Sequence, residues 1–140
     1  MACTIVDMPG LGGLHNSTFS HCGSLLAASS QQVSWTGDSP VNVTLFDMKT
    51  MSVLQRIPLD DCTPGPIRNL VFSSDGKTLV FDVGRTREIM VFQVHDLNIR
   101  RRLLGEDTDA GKLTSAVAFD PTSQVVASAG FDSCVRLWTL

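Results

Sequence analysis
The side chains best equipped for chemistry in this sequence are three histidines, four cysteines and two clusters of carboxylates. Metal coordination needs Cys and His at short, repeated spacings. Cys3, Cys22, Cys62 and Cys134 lie far apart, no pair has C-x-x-C spacing, and no Cys/His group has ligand spacing. Nucleophilic catalysis needs a base beside a serine or cysteine and a third group that orients the base. His15, His21 and His95 fall on different predicted elements, and the neighbouring strands supply no such relay. Gly10, Gly12 and Gly13 do not join a strand to a helix, so a phosphate cradle is not expected. Asp60 with Asp61, and Glu106 with Asp107 and Asp109, sit in connecting segments. They read as solvated loops or as an acidic patch for a basic peptide. No catalytic, cofactor-binding or metal-binding residue is assigned, no cofactor is expected, and the chain is read as a non-enzyme.

Bulk properties point the same way. Of 140 residues, 43% are hydrophobic and 18% charged, enough apolar surface to bury a core. A net charge of −3 gives no general attraction to nucleic acid or anionic lipid, so neither is expected as a direct partner. No apolar run is long enough to span a bilayer, and the first residues lack a secretory signal. The dispersed cysteines read as free thiols of a reducing compartment, cytoplasmic or nuclear. Asn16 and Asn42 open glycosylation acceptor triplets, which carry no meaning without secretion.

What must position these residues is a repeat. Phe46, Phe92 and Trp138 are 46 residues apart in both intervals, while Phe19, Phe72 and Phe119 are 53 and 47 apart. Each unit places an aromatic at the end of one apolar strand, then a polar turn, a second apolar strand and a third strand carrying another aromatic. Val43 to Phe46, Ile89 to Phe92 and Cys134 to Trp138 are rich in β-branched and aromatic residues. Val135 and Leu137 alternate with Arg136 and Trp138, the two-residue period of a pleated strand. Continuous apolar runs such as Leu25 to Ala28 fit strands covered on both faces. Asp75 and Gly76 supply a tight hairpin turn. Candidates for a fourth, outer strand are residues 52–57 and 97–103; Arg100, Arg101 and Arg102 in the latter read as a solvated edge, a binding patch or an import signal. A period in the forties with several short strands per unit predicts an all-β fold: a partial β-propeller of about three four-stranded antiparallel blades over residues 14–57, 67–104 and 113–140.

At this level of detail the sequence resembles the WD-repeat family. The best match is the third repeat, Val117 to Pro121 followed by Ser128 to Trp138. The resemblance implies a hydrogen-bonded network in which an Asp of the turn after the second strand, a Ser on that strand and a Trp on the third take part. Asp132, Ser128 and Trp138 match these three; the family's His has no counterpart between Gly105 and Lys112. Ala28 and Phe81 stand at the serine position of the first two repeats, so those blades are expected to rely mainly on apolar packing. The resemblance also implies a platform that binds other proteins, in a ring commonly of seven blades.

Three blades do not close a ring, because known rings use at least about four. An open arc leaves apolar sheet faces uncovered. The chain reaches Leu140 directly after the third strand of its last blade, while residues 4–8 read as a spare outer strand. That strand either completes a blade outside this sequence or pairs with Val135 to Trp138. The expected function is a non-catalytic scaffold or adaptor for proteins or peptides; the chain reads as the C-terminal three blades of a longer propeller, a fragment or short isoform completed by the rest of that ring, in preference to another copy. Partners are expected on the face carrying the loops between second and third strands and between blades, at Trp35, Asp38, Asp61, Arg85, Arg87, Asp107 and Asp109. Trp35 lies on a ten-residue insertion, residues 31–40, either packed on its own blade or offered to a partner. Alternatives are a propeller-borne hydrolase or small-ligand site, or a truncated isoform without independent function.

Overall fold
A computed structural model describes residue 3 and residues 13–31, 41–59, 66–83, 88–103 and 114–140. The described residues form eleven strands and no helix. Blade one is β1 (Gly13–Phe19), β2 (Leu25–Gln31), β3 (Val41–Asp47) and β4 (Ser52–Pro58). Blade two is β5 (Leu70–Phe72), β6 (Thr78–Asp82), β7 (Ile89–Gln93) and β8 (Asn98–Leu103). Blade three is β9 (Thr114–Phe119), β10 (Val125–Gly130) and β11 (Val135–Thr139). Each blade is a sequential antiparallel sheet: four strands in the first two, three in the last.

The pairing register shows that the blades are copies. Phe19 faces Leu26, which faces Phe46, which faces Val53. Phe72, Leu79, Phe92 and Ile99 form the same row in blade two, and Phe119, Val126 and Trp138 in blade three. The aromatics spaced 46 residues apart therefore occupy one structural position.

The turns repeat as well. Ser20, Ser73 and Asp120 each open the turn between the first two strands of a blade. The side-chain oxygen of each accepts the backbone N–H that starts the next strand: Leu25 at 3.0 Å, Thr78 at 2.9 Å and Val125 at 2.8 Å. The turn requires one left-handed residue. Glycine fills it at Gly23 and Gly76, with φ of 71° and 70°, but blade three uses Ser123 at 62°. These turns lie at one rim: a Cβ on Gly76 would meet the Ser20 Cβ at 3.8 Å, and Ser74 Oγ donates to Pro121 O at 2.8 Å. Antiparallel order puts the turns after β3 and β7 at that rim too. The connections after β2, β4, β6 and β8 leave from the opposite rim, where Ser29 Oγ of blade one donates to Ile67 O, ahead of β5, at 3.3 Å.

Alternation along the strands of blade two divides the core. Leu79, Phe81, Met90 and Phe92 pack with Ala27, Val43 and Leu45 of blade one. Val80, Ile89 and Val91 turn the other way and pack with Val117 and Val126 of blade three. Blade two is thus buried on both faces, and every residue of β6 is buried. Fully burying side chains of this size stabilises by roughly 1.5–3 kcal/mol each, which makes the blade–blade contacts the main source of order.

Candidate functional site
Blade three shows what a blade looks like without a neighbour. On the face of blade one that meets blade two, Val43 and Leu45 are 0% exposed; their counterparts Ile89 and Val91 in blade two are 0% and 3% exposed. The same positions in blade three are Val135 and Leu137, at 70% and 71%. Ala127 and Ala129, opposite them on β10, are half-buried. These are core side-chain types, exposed on this face. Among the described strands β11 is also the edge of its sheet, whereas its counterparts β3 and β7 each pair with a fourth strand. At the other end of the arc, Leu14, Phe19 and Val53 are exposed on the outer face of blade one, while Ala28, Thr44 and Phe46 there are buried.

The face of blade three that meets blade two is fastened by polar groups. Trp138 Nε1 donates to Ser128 Oγ at 2.9 Å, and the indole packs partly buried against the Val80, Ile89 and Val91 cluster. Asp132 accepts from Arg136 at 2.6 Å and from the Cys134 backbone N–H at 3.2 Å. The Arg136 hydrogen bond is the main reason that the Asp132 carboxyl sits below the usual carboxylate range. The tryptophan and serine thus meet directly, and the aspartate holds its turn and an arginine two residues before the tryptophan.

Blades one and two carry polar fasteners beside their apolar packing. Asp82, the last residue of β6, is buried, and its carboxylate Oδ1 accepts the N–H groups of Arg68 and Asn69 at 2.9 and 2.8 Å. Its Oδ2 accepts from Asn69 Nδ2 at 3.1 Å. These donors tie the lead-in of β5 to the second strand. Burial nevertheless outweighs them and raises the Asp82 pKa above the ordinary value. At the equivalent place in blade one, Ser29 Oγ accepts from Asn16 N at 3.1 Å and bridges to blade two. Neither polar residue follows a period, so sequence pattern alone does not flag it.

Among the described residues no group of three or more His, Cys, Asp or Glu is placed to hold a metal ion. Cys3, Cys22 and Cys134 are free thiols, and Cys62 lies outside the described residues. His15 is on β1, His21 and His95 in separate turns. Trp35, Asp38, Asp61, Arg85, Arg87, Asp107 and Asp109 lie outside the described residues, as do residues 4–8 and both acidic clusters. All seven fall in segments that connect strands ending at the rim of the β2–β3 connection. Arg100, Arg101 and Arg102 fall on β8, the outermost strand of blade two.

Residues 105–139, which span blade three, match the family model of the WD domain, G-beta repeat. No curated protein matches the chain in sequence. Among solved structures it is similar to the RRP9 WD40 repeats, with a TM-score of 0.74 and 18% identity over 98% of this chain and 38% of that one. The Cps50 (Swd1) β-propeller domain of Myceliophteria thermophila aligns with a TM-score of 0.70 and 18% identity, over 91% of this chain and 34% of that one. Hydrazine synthase of Kuenenia stuttgartiensis aligns with a TM-score of 0.70 and 15% identity, over 91% and 45%. The chain therefore spans less than half the length of the structures it matches. The fold is that of a partial β-propeller of the WD-repeat type. Its third blade is the part that matches the WD-repeat model, and the first two share that blade's strand register.

Proposed function
We propose that the chain is a non-catalytic scaffold or adaptor that binds other proteins or peptides through the rim carrying the connections after β2, β4, β6 and β8. WD40 propellers generally bind proteins, although one structure of similar fold is by name an enzyme, so fold alone does not decide. The observation that carries the reading is the contrast between the two rims. One rim is closed by short turns that are hydrogen-bonded within themselves and across blades. The other releases four longer connections, which hold Trp35, both acidic clusters, Arg85 and Arg87. Long connections on a rigid frame are where binding residues concentrate. Asp61 and Asp107 occupy successive blade-to-blade connections in the sequence, a charge pattern that suits a basic peptide. We place the protein in the cytosol or nucleus, on the strength of its dispersed free thiols.

The test is quantitative recovery of partners by affinity capture of the chain and of an Asp61→Lys/Asp107→Lys double variant. Recovery is expected to fall about tenfold or more, because like-charge juxtaposition penalises a basic partner. Equal recovery with an unchanged far-UV spectrum would remove this rim as the binding face.

A further inference from the structure
We propose that the outer strand of blade two, β8, is a docking surface for an extended acidic segment of a partner protein. The inference goes beyond the rim reading and uses none of the rim residues. Three observations converge on it.

The first is the segregation of charge. β4 and β8 together hold Arg56, Arg100, Arg101 and Arg102, four of the eight arginines of the sequence, and no aspartate or glutamate. The chain as a whole has a net charge of −3. A run of cations free of carboxylates, in a protein that is acidic elsewhere, concentrates anions at that run. All four cations are arginine and none is lysine. The guanidinium is always charged, and its planar fork matches a carboxylate with two parallel hydrogen bonds.

The second is a bulge that the blades share. β8 pairs with β7 with a register shift between Val91 and Phe92, which leaves Arg100 as an extra residue between Ile99 and Arg101. β4 has the same shift at the same place, with Leu54 as its extra residue. The repeat therefore sets Arg100, Arg101 and Arg102 at the positions of Leu54, Gln55 and Arg56. In blade one Leu54 is 45% exposed and Arg56 is exposed, whereas Ile57 and its counterpart Leu103 are buried. The bulge position thus belongs to the surface of its blade, and the buried part of the strand begins after the triplet. A bulge at a sheet edge bends the strand and hinders regular continuation of the ladder. The partner is accordingly held by the arginines and not as a further regular strand.

The third is the setting of the triplet. Both faces of blade two pack against its neighbours, so a partner reaches this blade at its outer strand or at its rims. β8 has six residues and is about 20 Å long, a length that suits a short extended peptide. The segment that follows it carries Glu106, Asp107 and Asp109. A polyanion as extended as a nucleic acid or a lipid surface is opposed by these carboxylates and by the net charge, whereas a short peptide matches the triplet alone.

The experiment is fluorescence anisotropy with the full chain at low ionic strength. The probe is a labelled peptide of alternating Glu and Thr, about ten residues long so that it overlaps β8 fully. The control is the same peptide with Gln in place of every Glu. The Glu peptide is expected to bind about tenfold or more tightly than the Gln peptide, and to weaken as salt is raised. Arg100→Gln/Arg101→Gln/Arg102→Gln is expected to keep the far-UV spectrum, because blade one already holds Gln55 in this row. Its affinity for the Glu peptide is expected to fall about tenfold or more. Lys49→Gln/Lys77→Gln removes two cations from the short-turn rim and keeps the affinity. Asp61→Lys/Asp107→Lys does not weaken it, so failure of the rim reading and failure of this inference are distinguishable. Absence of binding up to about 1 mM, equal binding of the Gln peptide, or unchanged binding by the arginine variant would overturn the proposal. So would tighter binding of a DNA oligonucleotide or of phosphatidylserine vesicles than of the Glu peptide.

Discussion

Replacing Asp82 by alanine removes the acceptor of three hydrogen bonds and leaves two backbone N–H groups, those of Arg68 and Asn69, with no carboxylate to receive them. At about 1 kcal/mol net for each bond, the expected loss is about 2–3 kcal/mol. For a chain of this size that lowers the melting temperature by about 10 °C. Asp82→Asn is the informative partner variant. Its amide oxygen still accepts from both N–H groups, and the side chain of Asn69 can rotate to present oxygen to the new amide nitrogen. That variant is expected to lie within about 1 kcal/mol of the original at neutral pH, since it also relieves the burial of a charge. The pH dependence follows from the direction of the shift. The folded-state pKa of Asp82 is raised. The folded chain therefore holds this proton more tightly than the unfolded one, so the stability contributed is full below the ordinary aspartate value of about 3.9 and is lost as pH rises through the folded value. Thermal melts by circular dichroism between pH 3 and 7, at one chain concentration, read both effects. The melting difference between the original and Asp82→Asn should shrink or reverse as pH rises. An alanine variant as stable as the original, or an asparagine variant as damaged as the alanine one, would refute the reasoning.

Other expectations follow from the repeated turns and the third blade. Gly76→Ala should destabilise by about 1 kcal/mol, read by denaturant midpoint, because φ 70° strains any other residue, whereas Ser123→Gly relieves φ 62° but loses the Oγ bonds to Ser74 and should change stability by less than about 1 kcal/mol. Trp138→Phe and Ser128→Ala should show a coupling of about 1 kcal/mol in a double-mutant cycle, since the 2.9 Å bond between them is lost in either. The Asp120 carboxylate is held down to about 2 by hydrogen bonds from the Thr122 hydroxyl and the Val125 N–H. Its contribution is present above the ordinary value and is lost as pH falls from about 4 toward 2, so Asp120→Asn should flatten the acid limb of the melting curve.

The fold was legible because its signal is periodic. Phe46, Phe92 and Trp138 share a spacing, and equal spacing became equal register once the strands paired. The Ser128–Trp138 contact was legible only through family resemblance, since no spacing rule links a second strand to a third. Asp82 and Ser29 were not legible: each is a polar residue in the C-terminal half of its strand, and what makes it structural is a backbone thirteen or more residues away. The openness of blade three was half legible. Val135 and Leu137 read as core residues by type, and their exposure depends on a neighbour that residue type cannot report. The rim residues were legible only as positions, Asp61 and Asp107 being equivalent by their place between blades.

The most direct measurement is cross-linking mass spectrometry on the complex of the chain with a captured protein. Lys112 stands on the connection after β8, at the proposed binding rim, whereas Lys49 and Lys77 stand in the short turns of the opposite rim. Partner cross-links are expected at Lys112 and at the carboxylates of residues 104–113 and 60–65. Cross-links confined to Lys49 and Lys77 would contradict the binding face on which the functional reading depends.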